Sequence, residues 1–144
     1  MIKERFKVVA AVHIFLIKDN HILLLRRYNT GYEDGKYSVV AGHLDGDEDL
    51  ITAAQREALE EAGIEIPYED LDIVGVMHRK SQEERIDFFL TAFNWHGEIV
   101  NKEPDKCDEL KWYSLNELPD NVIPYVRRAI NNFKEGKAFD IYGF

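Results

Sequence analysis

The chain holds one cysteine, Cys107, and only four prolines in 144 residues. A lone thiol cannot close an internal disulfide, and no CxxC or Cys/His spacing suggests zinc, so a reducing compartment, by default the cytoplasm, is expected. Long hydrophobic runs are missing as well. No stretch approaches the roughly 20 apolar residues of a membrane span, and the N-terminal MIKERFK has no apolar signal core. Basic residues are scarce: 18 Lys and Arg stand against 27 Asp and Glu, a formal net charge of −9, with no basic cluster beyond short pairs. That balance gives no footprint for duplex nucleic acid. Neither a membrane nor a nucleic-acid partner is expected, and a phosphate ligand would need a metal ion and a few local arginines to approach.

What is present suffices for one compact domain over residues 1–144. Hydrophobic residues make up 45% and aromatics 12%, enough to bury a core without staples, and no repeat or low-complexity linker divides the chain. Phe6 to Lys18 is rich in Val, Ile and Phe, Asp19-Asn20 makes a turn, and His21 to Tyr28 continues as a second strand, which predicts a hairpin. Further strands are expected at Tyr37 to Val40, Leu71 to His78, Arg85 to Trp95 and Leu110 to Tyr113. A late helix is predicted from Asn121, with Pro124 in its first turn, Val122, Ile123, Val126, Ile130 and Phe133 on its apolar side, and Gly136 after it. Strands on both sides of an earlier helix imply an α/β fold with a mixed sheet sandwiched by helices.

The earlier helix carries the chemistry. In the run GHLDGDEDLITAAQREALEEAGI from Gly42 to Ile64, Asp49 can cap the helix start and Gly63 can end it in the left-handed conformation, a span of roughly four turns. Glu57, Glu60 and Glu61 fall within one turn, where like charges repel. At about 100° per residue Glu57 and Glu61 point almost the same way, with Glu60 flanking, and their direction overlaps the edge of the stripe formed by Leu50, Ile51, Ala54, Ala58 and Ala62. Carboxylates turned partly inward need a counter-charge, and a divalent cation bound by hard oxygens supplies one. A solvated acidic face is the alternative for EALEE alone. Arg56, four residues before Glu60, can pair along the helix and orient the acids from outside. Glu48 suits the positive helix end or could reach a metal through water. A calcium hand built on Asp45, Asp47 and Asp49 is excluded, because its sixth position is Leu50 rather than Gly and its twelfth Arg56 rather than Glu.

The spacing G-x5-E-x7-R-E-x-x-E-E-x-G-hydrophobic, carried by Gly42, Glu48, Arg56, Glu57, Glu60, Glu61, Gly63 and Ile64, resembles the Nudix box. Two departures are Ala58, where the family usually has a larger aliphatic residue, and Val40-Ala41, where many members read Pro-Gly. The resemblance implies a Nudix fold, an α/β/α sandwich over nearly the whole chain. It also implies Mg²⁺, with Mn²⁺ as an alternative, held by Glu57, Glu60, Glu61 and the backbone carbonyl of Ala41. Together with AGHLDGDE, the run EPDKCDELKW from Glu103 to Trp112 resembles the nucleoside triphosphate diphosphatases of the MutT-like group.

This second resemblance implies that Glu103 completes the metal site or acts as base, against an ordinary loop acid. Catalytic roles are therefore expected at Glu60, Glu61, Glu103 and Arg56, the last a structural one. Of the adjacent Arg26 and Arg27, which alternate faces, Arg27 resembles the family arginine that meets substrate phosphate and Arg26 reads as solvent-facing. His43 beside Gly42 could line the phosphate channel, whereas His13, His21, His78 and His96 show no ligand spacing. Lys106 and Cys107 read as surface and packing residues, Trp112 as core, and Phe88, Phe89 and Phe93 as core rings. The implied activity is metal-assisted hydrolysis of a (deoxy)nucleoside triphosphate to a monophosphate and pyrophosphate. ADP-ribose, dinucleoside polyphosphates or nucleotide sugars are alternative substrates, and a nucleotide sensor without turnover is the reading from another class. The tail AFDIYGF and the strand edges suit either a homodimer or packing within one chain.

Overall fold

In a computed structural model the described residues are 4–144; Met1, Ile2 and Lys3 of the segment read above for a signal core lie outside them. Among the described residues, eight strands and two α-helices follow in the order β1 (Val9–Lys18), β2 (His21–Arg27), β3 (Tyr37–Ser38), β4 (Val40–His43), α1 (Leu50–Ala62), β5 (Asp72–Lys80), β6 (Glu84–Ala92), β7 (Cys107–Ser114), α2 (Pro124–Glu135) and β8 (Phe139–Tyr142), with a 3₁₀ turn at Tyr68–Asp70 before β5. The sheet runs β3-β2-β1-β6-β5-β8, with β4 also on β1 and β7 on β2. It is mixed: β1 lies parallel to β6 over Val9 to Leu16, while β1–β2, β1–β4 and β5–β6 are antiparallel. Among the described residues, no helix is long and apolar enough to cross a membrane.

The period of two along β1 explains why its apolar run is continuous. Val12, Ile14 and Leu16 face the cluster that includes Ala53, Ala54, Ala58 and Ala62 of α1, whereas Phe15 and Ile17 face Val126, Ala129 and Ile130 of α2. Both faces of the strand are covered, so alternation with polar residues is not required. Strand β2 follows the same rule, with Leu23 and Leu25 toward α1 and Ile22 and Leu24 toward α2. This is the expected sandwich. The β1–β2 turn places Asp19 and Asn20 at φ 51° and 61°, the backbone pair that matches the twist of a two-residue hairpin.

Several element boundaries differ from the sequence expectation. β1 starts at Val9, whose partner is Arg85, and Phe6 is exposed. β6 stops at Ala92, which leaves Phe93 exposed rather than in the core and Trp95 stacked on Trp112 at 6.2 Å between ring centroids. α2 begins at Pro124 rather than Asn121. The backbones of Asn121 and Ile123 are bonded to Tyr37 at 2.9 and 3.0 Å, and the residue before a proline favours extended geometry. The tail forms β8, parallel to β5 from Val76/Phe139 to Arg79/Tyr142, so it packs on its own domain.

Phe15 is 0% exposed and packs on the rings of Phe89 and Phe133 at 5.6 and 5.8 Å, joining the sheet to α2. Phe15→Ala is expected to lose about 3–5 kcal/mol, measured by urea unfolding.

Candidate active site

Helix α1 starts where Asp49 accepts from the Thr52 N–H at 2.9 Å, and ends where Gly63, at φ 70°, donates its N–H to the Leu59 carbonyl. These caps fix which side of the helix meets the sheet. Arg56 then acts as a hub. Its Nη1 donates to Glu57 at 2.7 Å, its Nη2 to Glu48 at 2.7 Å and to the His43 carbonyl at 3.1 Å, and its Nε to the second Glu48 oxygen at 3.1 Å. These carboxylates keep the guanidinium firmly charged, and Arg56 in turn holds Glu48 below the usual carboxylate range. Glu48 therefore serves as a clamp for Arg56 and also accepts the Asp45 N–H at 3.1 Å. Arg56 thus ties Glu48, Glu57 and the His43 backbone together.

Glu57 is buried, and its carboxylate rests on the backbone of Gly42. A Cβ at position 42 would overlap the Glu57 carboxyl group, so the glycine is required by this close approach. Glu61, one turn on, lines a cleft of about 400 Å³ with Ala41, Arg27, Asn101, Glu103 and Lys106. Burial, then the neighbouring Glu57 and Glu103 carboxylates, raise the Glu61 pKa well above its ordinary value, while the Ala41 N–H works the other way. In an extended strand the N–H and C=O of one residue share an edge, so the Ala41 carbonyl lies on the Glu61 side too.

Acids crowded until one resists ionising suit a divalent cation, which would take the place of the proton. Glu61, the adjoining Glu57 and the Ala41 carbonyl are hard oxygens of the kind such an ion takes. Among the described residues, no three His, Cys, Asp or Glu side chains form a metal-holding group, and Glu57 Oε1 accepts from Arg56 Nη1 at 2.7 Å.

Glu60, expected with the ligands, is not brought into this cleft. Its side chain is 54% exposed and its partner is Arg56 at 3.5 Å, because position 60 turns away from the edge shared by 57 and 61. Glu103 does face Glu61. It sits on a turn held by Asn101, which accepts the Glu103 N–H at 3.0 Å and donates to the Cys107 carbonyl at 2.6 Å. Lys106, read as a surface residue, lines the same cleft, and Cys107 is buried as expected. Arg27 also reaches the cleft, its Nε donating to the Tyr32 carbonyl at 2.7 Å and its Nη2 to Thr30 at 3.0 Å. Arg26 pairs with Asp108 at 2.8 Å and Glu109 at 3.4 Å across β2–β7 on the exposed side and also borders the cleft.

Through Arg27, Ser38 and Ala41 the cleft continues into a second lobe of about 650 Å³. His43 lines it, with Nε2 accepting from Arg85 Nη2 at 3.0 Å. Sequence reasoning missed the rest of this lobe: His13, Tyr32, Arg79, Arg85 and Tyr125. Asp87 lies beneath them, fully buried, accepting from Arg79 Nε at 2.6 Å. A charge or histidine at an inward position of an apolar strand, as in VAAVHIFLI and RIDFFL, is the signal that could have found them. His13 is 2% exposed, bonds the Tyr125 hydroxyl at 3.2 Å, and is lowered by burial to a pKa of about 4, so it is neutral at pH 7.

The description NUDIX domain matches residues 7–133. Among curated proteins, the NAD-capped RNA hydrolase NudC of Escherichia coli (strain SMS-3-5 / SECEC) is 28% identical over 119 residues, 81% of this chain and 44% of that protein. The chain thus spans less than half the length of this relative. The crystal structure of a MutT NUDIX hydrolase from Burkholderia pseudomallei superposes with a TM-score of 0.80 at 25% identity, covering 88% of this chain and 98% of that one. A MutT protein from Methanosarcina mazei Go1 shares the fold, with a TM-score of 0.77 at 22% identity over 92% and 97% of the two chains.

Unfolded His13 takes up a proton near its ordinary pKa of 6.5, whereas the folded protein resists until about 4. Stability is therefore full above pH 6.5 and declines as the pH falls through that window, by about 3 kcal/mol. Urea unfolding at pH 7 and pH 4 should show His13→Gln losing about 3 kcal/mol less than the native chain, since Asp87 and the other acids are common to both.

Proposed function

The chain belongs to the Nudix family, whose hydrolases generally use divalent metal ions, and we propose that it hydrolyses (deoxy)nucleoside triphosphates to a nucleoside monophosphate and pyrophosphate. The observation that carries this reading is the meeting of Glu61, with Glu57 beside it, Glu103 and the Ala41 backbone at a cleft that opens past Arg27 into an aromatic-lined lobe. Acids lie on one side, an arginine at the junction and a roomy pocket beyond, an order that matches phosphates followed by a nucleoside. Mg²⁺ held by Glu57, Glu61 and the Ala41 carbonyl would neutralise phosphate oxygens and make a bound water more acidic.

The protein's own groups do the rest. Glu103, fixed by Asn101 and facing Glu61, takes the proton of the attacking water as its oxygen bonds to phosphorus and the bridging bond between the α and β phosphorus breaks. Glu60, paired with Arg56 on the exposed side, is the less suitable base. Arg27, held by Tyr32 and Thr30, meets phosphate oxygens with its remaining N–H groups, and His43 borders the same path. Arg56 touches no substrate in this scheme; it restrains Glu57 so that Glu61 can be set against it. Because phosphoryl transfer depends chiefly on positioning and charge, this rigid arrangement supplies most of what is required.

The resemblance to NudC, a hydrolase of NAD-capped RNA, favours one second reading, cleavage of the pyrophosphate of a dinucleotide, ADP-ribose or nucleotide sugar. Product release from nucleoside triphosphates, ADP-ribose and dinucleoside polyphosphates, with and without Mg²⁺, separates the two. Monophosphate plus pyrophosphate, abolished by chelation, is expected; turnover confined to ADP-ribose or dinucleotides would establish the second reading. Glu61→Gln should remain folded by circular dichroism and lose about 100-fold or more in rate, and full activity in it would refute the site. Gly42→Ala should displace Glu57 and reduce kcat by a similar factor with a native-like melting temperature.

A further inference from the structure

Strands β5 and β6 are covered unequally on their two faces. Met77, Arg79, Asp87 and Phe89, which lie on the α2 side, are no more than 4% exposed. Their neighbours, by the period of two, point to the α1 side. There the register sets Phe88, Val76 and Phe139 in one row and Ile86, His78 and Ile141 in the next. Helix α1 lies over β1 and β4, however, and of the hydrophobic residues in these rows only Phe88 packs against the buried cluster beneath it. Ile73, beside the buried Leu90, extends the open face along β5, and the Phe144 ring lies on His78 at 4.7 Å between centroids.

Ile73, Phe139, Ile141 and Phe144 are 48%, 54%, 54% and 67% exposed. With the half-buried rows between them they offer on the order of 600 Å² of apolar surface, the most that a monomer ordinarily leaves in one patch and about what each partner brings to a stable interface. The polar group within the rows is already satisfied: Glu84 accepts from His78 Nε2 at 2.7 Å, and Lys80 stands opposite Glu84 at the end of the face. What covers this surface has to be apolar and need bring no charge. A formal net charge of −9 sets the chain against an anionic membrane surface. The same face of a second copy has the required extent and neutrality, and twisted sheets stack face to face at about 10 Å.

The outer edge of β8 is the other route to association, and it is guarded. The Ala138 carbonyl accepts the Val76 N–H at 2.9 Å, so by alternation Phe139 and Ile141 turn their backbone groups away from β5. Asp140 Oδ1 takes the Ile141 N–H at 2.8 Å, and Oδ2 of the same carboxylate is held by Arg128 and Asn132 at 2.8 Å each. A strand added at this edge would meet an occupied donor and a fixed carboxylate. We propose that two copies of the chain pair through the open faces of β5 and β8, sheet against sheet about a two-fold axis, with Phe139 and Ile141 as anchors. This pairing is independent of which substrate the cleft takes.

The test is sedimentation equilibrium of the whole protein. A mass near twice the 16.8 kDa of one chain is expected, with a dissociation constant of about 10 μM or below. Phe139→Glu and Ile141→Lys each put a charge into the apolar face and should weaken the dimer at least about 100-fold with an unchanged circular dichroism spectrum. Phe139→Leu should keep it. A native protein still monomeric at about 100 μM overturns the proposal whether or not the variants fold. A dimer that a folded Phe139→Glu leaves intact overturns it too, since the contact then lies elsewhere. If neither charge variant folds, hydrogen exchange of the native protein above and below its dissociation constant decides: slowing confined to β5 and β8 supports the face, and slowing elsewhere overturns it. A monomer that binds phosphatidylcholine vesicles gives the face to a lipid surface and likewise overturns the pairing.

Discussion

Everything at the site depends on how closely α1 approaches β4. The Glu57 carboxylate occupies the space where any residue larger than glycine at position 42 would place its Cβ, so helix and strand meet through a carboxylate on bare backbone. That contact brings Glu61 beside the Ala41 backbone and across from Glu103. It could not form if α1 were rotated by even one residue, because the alanines at 53, 54, 58 and 62 would then leave the sheet. Small residues on the packed side of α1 let the helix come close, and the missing side chain at Gly42 lets the acid in.

The electrostatic cost of that approach is divided unequally. Glu57 has a guanidinium at 2.7 Å, itself anchored by Glu48 and the His43 carbonyl, whereas Glu61 is crowded by acids and is pushed toward its protonated form. One acid of the pair is thus tied to an arginine and the other is held among acids. Such a pair is a poor source of stability. The buried group in the other lobe is handled differently: Asp87 is matched by Arg79 within the fold, and His13 stays neutral.

Strand β1 joins the two lobes. Its outer edge carries β4 and, further along, β2, while its inner edge pairs with β6 over eight residues from Val9 to Leu16. His13 therefore sits opposite Ala41 on one side and Phe89 on the other, at the junction of the two lobes. The Arg85–His43 hydrogen bond ties the β5–β6 hairpin to the residue after Gly42, so the lobes are mechanically one unit.

Local features of the chain settled much of this: the α1 caps, the one-turn grouping of Glu57 and Glu61, the Arg56 brace, the alternation of apolar strands and the α/β class all follow from spacing and residue type. Periodicity and capping act over a few residues, so they are legible without a partner. Only the tertiary structure decided that Glu60 points outward and that Glu48 clamps Arg56. It also decided that α2 waits for Pro124 because Asn121 and Ile123 bond to Tyr37, and that the tail closes the sheet as β8. The second lobe was decided the same way. His13 and Tyr125 come from elements far in sequence from the β5–β6 hairpin that carries Arg79 and Asp87, and the value of each depends on a neighbour that tertiary packing, not the local sequence, puts beside it.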